Sequence, residues 1–239
     1  WLQAAYPNAR VTVINASIHG GFRGSGPSVF RFGHDALRHK PDLVAIDFAS
    51  DDGESDGESV RGNAEGMVRQ AWKSKPETDI LFVYAFRQGY EVDYAKALCP
   101  GAVSAYERVA AHYQIPAINM GARLAAMARE GKLLLKALAD EAKQAPDVPV
   151  FSNDGVYTTP AANALYAQII CEGLGSLLAA GTPGPHVLPK AMRGRNMEGA
   201  VQIPITREML SGDWEQVTPA AIGNSRFDDH FESLWVTKT

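Results

Sequence analysis

Four short apolar runs, separated by helical stretches, constrain this 239-residue chain more than any other feature. They are VTVIN at 11–15, DLVAIDFA at 42–49, DILFVYAF at 79–86 and PAINM at 116–120. Each is β-rich and almost wholly apolar, as strands buried on both faces of a parallel sheet are. Helical patterns fill the intervals near 27–39, 57–74, 102–113 and 121–143, and a last one spans 160–180. Pro27, Ser59 and Pro100 stand near helix starts, and Lys-Pro pairs at 40–41 and 75–76 stop the chain before the next strand. Pro160 and Gly181 bracket the final helix. The alternation predicts an α/β fold: a doubly wound, flavodoxin-like parallel sheet with flanking helices and its functional loops at the carboxyl ends of the strands.

Past residue 180 the pattern changes. GTPGPHVLPK at 181–190 is punctuated by Pro and Gly, and 200–239 carries short β-like pieces such as AVQIPI and SLWVTK. The expected division is an α/β domain over 1–180, then a linker and the start of a β-rich segment over 181–239. The chain opens at Trp1 inside a helical pattern and closes on the strand-like FESLWVTKT, so it reads as a fragment or a processed chain. A net charge of −4 gives no electrostatic footprint for nucleic acid. No apolar run is long enough to predict a membrane span. Cys99 and Cys171 are far apart and suit no metal motif; Cys171, in an apolar helical run, reads as a buried thiol.

Three loops carry the chemistry. NASIHGGFRGSG at 15–26 follows the first run, and Gly20 there can turn a backbone N–H toward an oxyanion. It holds neither a dinucleotide fingerprint nor a P-loop, so no cofactor is expected. ASDDGESDGE at 49–58 reads first as a solvated acidic loop. Asp52, Glu54, Asp56 and Gly57 mimic half of a calcium loop, but the twelfth position is Asn63 where a bidentate Glu is needed. SNDGVY at 152–157 sets Asp154 three residues before Tyr157, just ahead of the last helix.

In order and spacing these loops resemble the conserved blocks of the SGNH (GDSL) hydrolase superfamily over about residues 3–180. NASIHG resembles the block whose Gly lines the oxyanion hole, which falls on Gly20. FASDDG resembles Gly-x-Asn-Asp, placing the oxyanion Asn position on Asp51. DGVY resembles Asp-x-x-His, placing the orienting acid on Asp154 and the general base on Tyr157. KPDLVAIDFA, EGMVRQAW and HYQIPAINMG also read like the family between the blocks. The resemblance implies hydrolysis of an acyl or acetyl ester, on a small molecule or a glycan, with no cofactor.

The departures matter as much. The family's Gly-Asp-Ser block precedes its equivalent of VTVIN by a few tens of residues, and only ten residues precede it here. The resemblance therefore implies a sheet missing the first family strand, and a chain without the Ser nucleophile. A phenol titrates at about 10 and keeps its proton at neutral pH, so Tyr is a poor substitute for the His. An ionised Asp only accepts hydrogen bonds and would repel a developing oxyanion at position 51. The expectation is an esterase-type chain inactive as written; the alternative is a non-catalytic carbohydrate- or ligand-binding module on the same fold.

Overall fold

The computed structural model describes residues 1–17, 24–137, 145–155, 157–218 and 234–237. It divides into two compact units, a larger one of Trp1–Ala16 and Gly21–Val201 and a smaller one of Ser17–Gly20 and Gln202–Thr239.

The larger unit is α/β, as expected. Its central sheet holds β1 (Leu43–Ile46), β2 (Asp79–Tyr84) and β3 (Ala117–Asn119), in that order and all parallel. Leu43 pairs with Asp79, and Phe82 with Ala117. The helices are α1 (Leu2–Ala5), α2 (Ser25–Asp35), α3 (Gly57–Ser74), α4 (Tyr90–Ala95), α5 (Gly101–Tyr113), α6 (Met120–Arg129) and α7 (Pro160–Ala180). α2, α3 and α5 pack side by side, whereas α6 meets α4 and α7. Every β2 residue from Ile80 to Tyr84 is buried, so helices cover both faces of the central strand. A second parallel pair, β4 (Leu134–Lys136) and β5 (Val150–Ser152), leads into α7.

Local chemistry explains the helix boundaries. Asp56 caps α3 by accepting from the Ser59 N–H at 2.9 Å, and Lys73 complements the dipole in the last turn. Thr159 caps α7 through the Ala162 N–H at 3.1 Å, with Pro160 in the first turn where no N–H is needed.

Two expectations are corrected. Residues 11–15 form no strand. A β-rich sequence needs a partner ladder, and among the described residues no strand pairs with it, leaving Val13 86% exposed. β1 is accordingly an edge strand, with Val44 and Ile46 buried but Leu43 and Ala45 open to solvent. The helix expected over 121–143 stops at Arg129, because Gly131 takes a φ of +72° that ends the helical path. β4 follows; residues 138–144 lie outside the described residues.

The stretch 186–200 lies across α3 as a strap, which the Pro- and Gly-rich composition after 180 does not anticipate. His186 donates its N–H to Pro76 O at 2.9 Å and stacks its ring on Trp72, centroids 4.6 Å apart. Arg69 reaches Pro189 O at 2.8 Å and Glu198 at 2.6 Å. The fully buried Glu65 accepts from the Met192 N–H at 2.6 Å and from Tyr113 Oη at 2.7 Å. The strap seats on Gly66, where a Cβ would come within 2.6 Å of Met197 backbone carbon.

In the smaller unit, β6 (Trp214–Val217) and β7 (Leu234–Thr237) form an antiparallel pair with Trp214 opposite Thr237. This is the β-like segment expected near the C-terminus.

Candidate active site

The loops at the carboxyl ends of the strands converge on the segment that follows β2. After β1 the chain turns through Asp51 and Asp52, and the two acids differ sharply. Asp51 is exposed. Asp52 is 3% exposed and works structurally: Oδ1 accepts from the Ser25 N–H at 3.0 Å, and Oδ2 from Tyr106 Oη at 2.8 Å. It thereby supplies an N-terminal cap to α2 from a different loop. Burial and the adjacent Asp52 push the Tyr106 hydroxyl well above the ordinary phenol range. A Cβ on Gly24 would lie 2.8 Å from Asp52 Oδ1 and 3.9 Å from Asp51 Cβ, so the start of α2 abuts the Asp51 turn. Gly20, the expected oxyanion-hole glycine, lies outside the described residues. With Asp52 and Asp56 both occupied as caps, the calcium-like pattern of this loop is spent on helix ends.

Segment 85–90 braces that turn. Arg87 Nη1 donates to Ser50 O at 3.0 Å and its other Nη pairs with Glu54. Tyr90 Oη donates to Ala49 O at 2.5 Å, and burial pushes this phenol up to about 12. The same segment touches the acid loop. Phe86 donates its N–H to Tyr166 Oη at 2.7 Å, and its ring meets Phe151 of β5 at 5.1 Å. Gln88 sits against Gly155 so closely that a Cβ there would collide with its Oε1, and the φ of +87° at Gly155 suits only glycine.

Asp154 follows β5 in a tight turn. Its Oδ1 accepts from Ser152 Oγ at 3.0 Å and from the Tyr157 backbone N–H at 2.9 Å. The acid and Tyr157 are thus held together, through the Tyr157 main chain. The Tyr157 residue is 62% exposed, presenting its ring to solvent at the rim. Ser152 and Ser25 are both fully buried, a poor setting for a nucleophile.

Sequence reasoning missed Asp47, Arg87 and Gln88. Asp47 carried a signal: an acid closing the apolar run LVAI, where a strand delivers its last side chain to the site. Its Oδ1 accepts from the Ala85 N–H at 3.3 Å. Protein atoms crowding the carboxyl, and then the nearby Asp51, raise it from 3.8 to about 7, against the opposing Ala85 hydrogen bond. Solvent reaches the side chain along the open side of β1 and works against this shift, so about 7 is its upper limit.

No protein-family model and no curated protein matches the chain. Solved structures do. A two-domain esterase (CEX) active on acetylated mannans aligns with a TM-score of 0.74 at 23% identity, covering 100% of this chain and 58% of that one. The same kind of esterase co-crystallized with mannopentaose aligns with a TM-score of 0.69 at 22% identity, covering 100% and 57%. This is an esterase-like fold. The chain spans less than three fifths of those esterase chains, and at such identity the likeness speaks for the fold alone. In the larger unit, the loops that meet at the carboxyl ends of β1 and β2 and beyond β5 are the candidate site within it.

Proposed function

We propose that this chain is an SGNH-type carbohydrate acyl-ester hydrolase domain by descent, whose candidate-site loops engage an acylated glycan while the Ser–His route stays closed. The reading is carried by one observation: Asp154 accepts the backbone N–H of the residue three positions on, and that residue is an exposed Tyr. The acid of the family's pair is in place and its base is not. A phenol is a poor stand-in for an imidazole base, and a carboxylate at position 51 repels an oxyanion where a donor is required. Mannan is the first glycan to test, because the similar esterase folds act on its acetylated form.

A second reading, glycan binding with no turnover at all, is favoured by the exposed Tyr157 ring beside the Asp154 turn. A sugar's apolar face stacks on such a ring and its hydroxyls pair with carboxylates. Titrating isotope-labelled protein with acetylated and deacetylated manno-oligosaccharides tests the site. The expected perturbations fall in 50–53, 85–88 and 152–157 and are larger for the acetylated ligand. Perturbations confined to the smaller unit would place the ligand elsewhere and contradict the proposal.

A further inference from the structure

With a Tyr in the base position, another group must handle protons if this cleft performs any hydrolysis. The acids at the carboxyl end of the sheet are mostly committed. Asp52 is buried between Ser25 and Tyr106, Glu54 pairs with Arg87, and Asp154 holds the turn at 152–157. Asp47 differs from all three. It follows directly on β1, is open to solvent, and is steered by a single long hydrogen bond from the Ala85 N–H at 3.3 Å. Ala85 adjoins Phe86, which contacts Tyr166 and Phe151 and so leads into the Asp154 loop.

The titratable groups within electrostatic reach of Asp47 come from several elements. Asp51 comes from its own loop, Tyr90 from α4, Tyr106 from α5 and Tyr166 from α7, and the electrostatic influence of Asp47 is felt by each of the three phenols. All three are pushed upward, mainly by burial, and remain neutral hydrogen-bonding partners at pH 7. Asp47 and Asp51 both face water, as Glu54 and Asp154 do, and they repel one another; of these, Glu54 and Asp154 are held by partners.

We propose that Asp47 is a general base for direct attack of water on the acyl ester. The inference rests on the reading of the cleft as an acyl-glycan site. The water oxygen forms a bond to the acyl carbon as its proton passes to the Asp47 carboxylate. The tetrahedral intermediate then collapses, the ester C–O bond breaks, and the departing sugar oxygen takes the proton back from Asp47. Acid and alcohol are the products, and water is the one co-reactant. A base that titrates near the working pH is the most effective kind, and the crowding of Asp47 moves it toward that range.

The test follows acetate release from acetylated manno-oligosaccharide between pH 5 and pH 9, together with ligand affinity and an NMR titration of side-chain carboxyls. Wild type is expected to release acetate slowly, at a rate rising with pH to a plateau as one carboxyl titrates at or below about 7. Asp47→Asn is expected to lower the plateau by about a hundredfold or more and to erase that titration, with affinity changed less than about twofold. Asp47→Glu should keep part of the rate and shift the profile.

Stability gives an independent readout. A carboxyl raised in the folded state stabilises most below about pH 4, and this contribution drains away as pH climbs toward about 7. Wild type should therefore lose stability relative to Asp47→Asn across that window. An unchanged rate and pH profile in Asp47→Asn would overturn the proposal. So would a wild type that binds the oligosaccharide yet releases no acetate, while leaving the binding site itself intact. A protein that does not bind the ligand overturns both.

Discussion

Replacing Asp52 with Ala is expected to destabilise the larger unit by about 3 kcal/mol. Two losses add. The Ser25 N–H at the start of α2 loses its capping acceptor, which costs about 1 kcal/mol. The Tyr106 hydroxyl, on a residue 1% exposed, loses its acceptor, and an orphaned buried polar group costs about 1–3 kcal/mol. The effect should be visible in chemical denaturation as a lower midpoint with an unchanged slope. Asp52→Asn keeps the Oδ1 acceptor for Ser25, and Tyr106 can rotate to accept from the new amide, so its loss should be far smaller. Equal losses for the two variants would contradict this account of Asp52 as a two-sided strut. Because the Asp51 turn is built on Asp52, ligand binding should weaken together with stability in Asp52→Ala.

Glu65→Ala is expected to cost about 4 kcal/mol and to lower the melting temperature by about 10 °C. Its Oε1 serves two buried partners from distant segments, Tyr113 Oη and the Met192 N–H. The Met192 N–H and the Tyr113 hydroxyl proton lose their acceptor, Tyr113 Oη keeps only the bond it accepts from Arg69 Nη1 at 3.2 Å, and a cavity opens at a site of zero exposure. The strap at 186–200 then loses its central anchor while keeping the outer contacts of His186 and Arg69. Limited proteolysis should cut Glu65→Ala within 186–200 well before wild type. Glu65→Gln retains an acceptor for both donors and should recover most of the loss. A strap as resistant in Glu65→Ala as in wild type would show that Trp72 and Arg69 hold it unaided.

How much of this was legible in the sequence depends on the range of the interaction. α3 and α7 were readable to the residue, since Ser59 and the Lys-Pro at 75–76 bracket the first and Pro160 and Gly181 bracket the second. The strand expected at 11–15 failed because propensity gives a residue's taste for an extended chain and says nothing of whether a partner ladder exists. The overrun of α6 came from the good helix formers of LLLKALADEAK at 133–143; Gly131 ends the helix, and residues 134–136 form β4 instead. Nothing local in the sequence marks Glu65 or Arg69 as buried, because their burial depends on residues more than a hundred positions away. Within the candidate site, the pairing of Asp154 with the Tyr157 main chain is legible in the sequence because it is local. The parts supplied by 85–88 were hidden, because nothing near Arg87 or Gln88 in sequence marks the loops they touch.

The reading of this chain stands on an acylated glycan being engaged by the loops around Asp154 and Tyr157. Calorimetric titration of acetylated manno-oligosaccharide into wild type and Tyr157→Ala tests it most directly. The account predicts saturable binding to wild type, weakened about tenfold in Tyr157→Ala, a loss of about 1.4 kcal/mol. Absence of saturable binding to wild type, or equal affinity in both proteins, would contradict it.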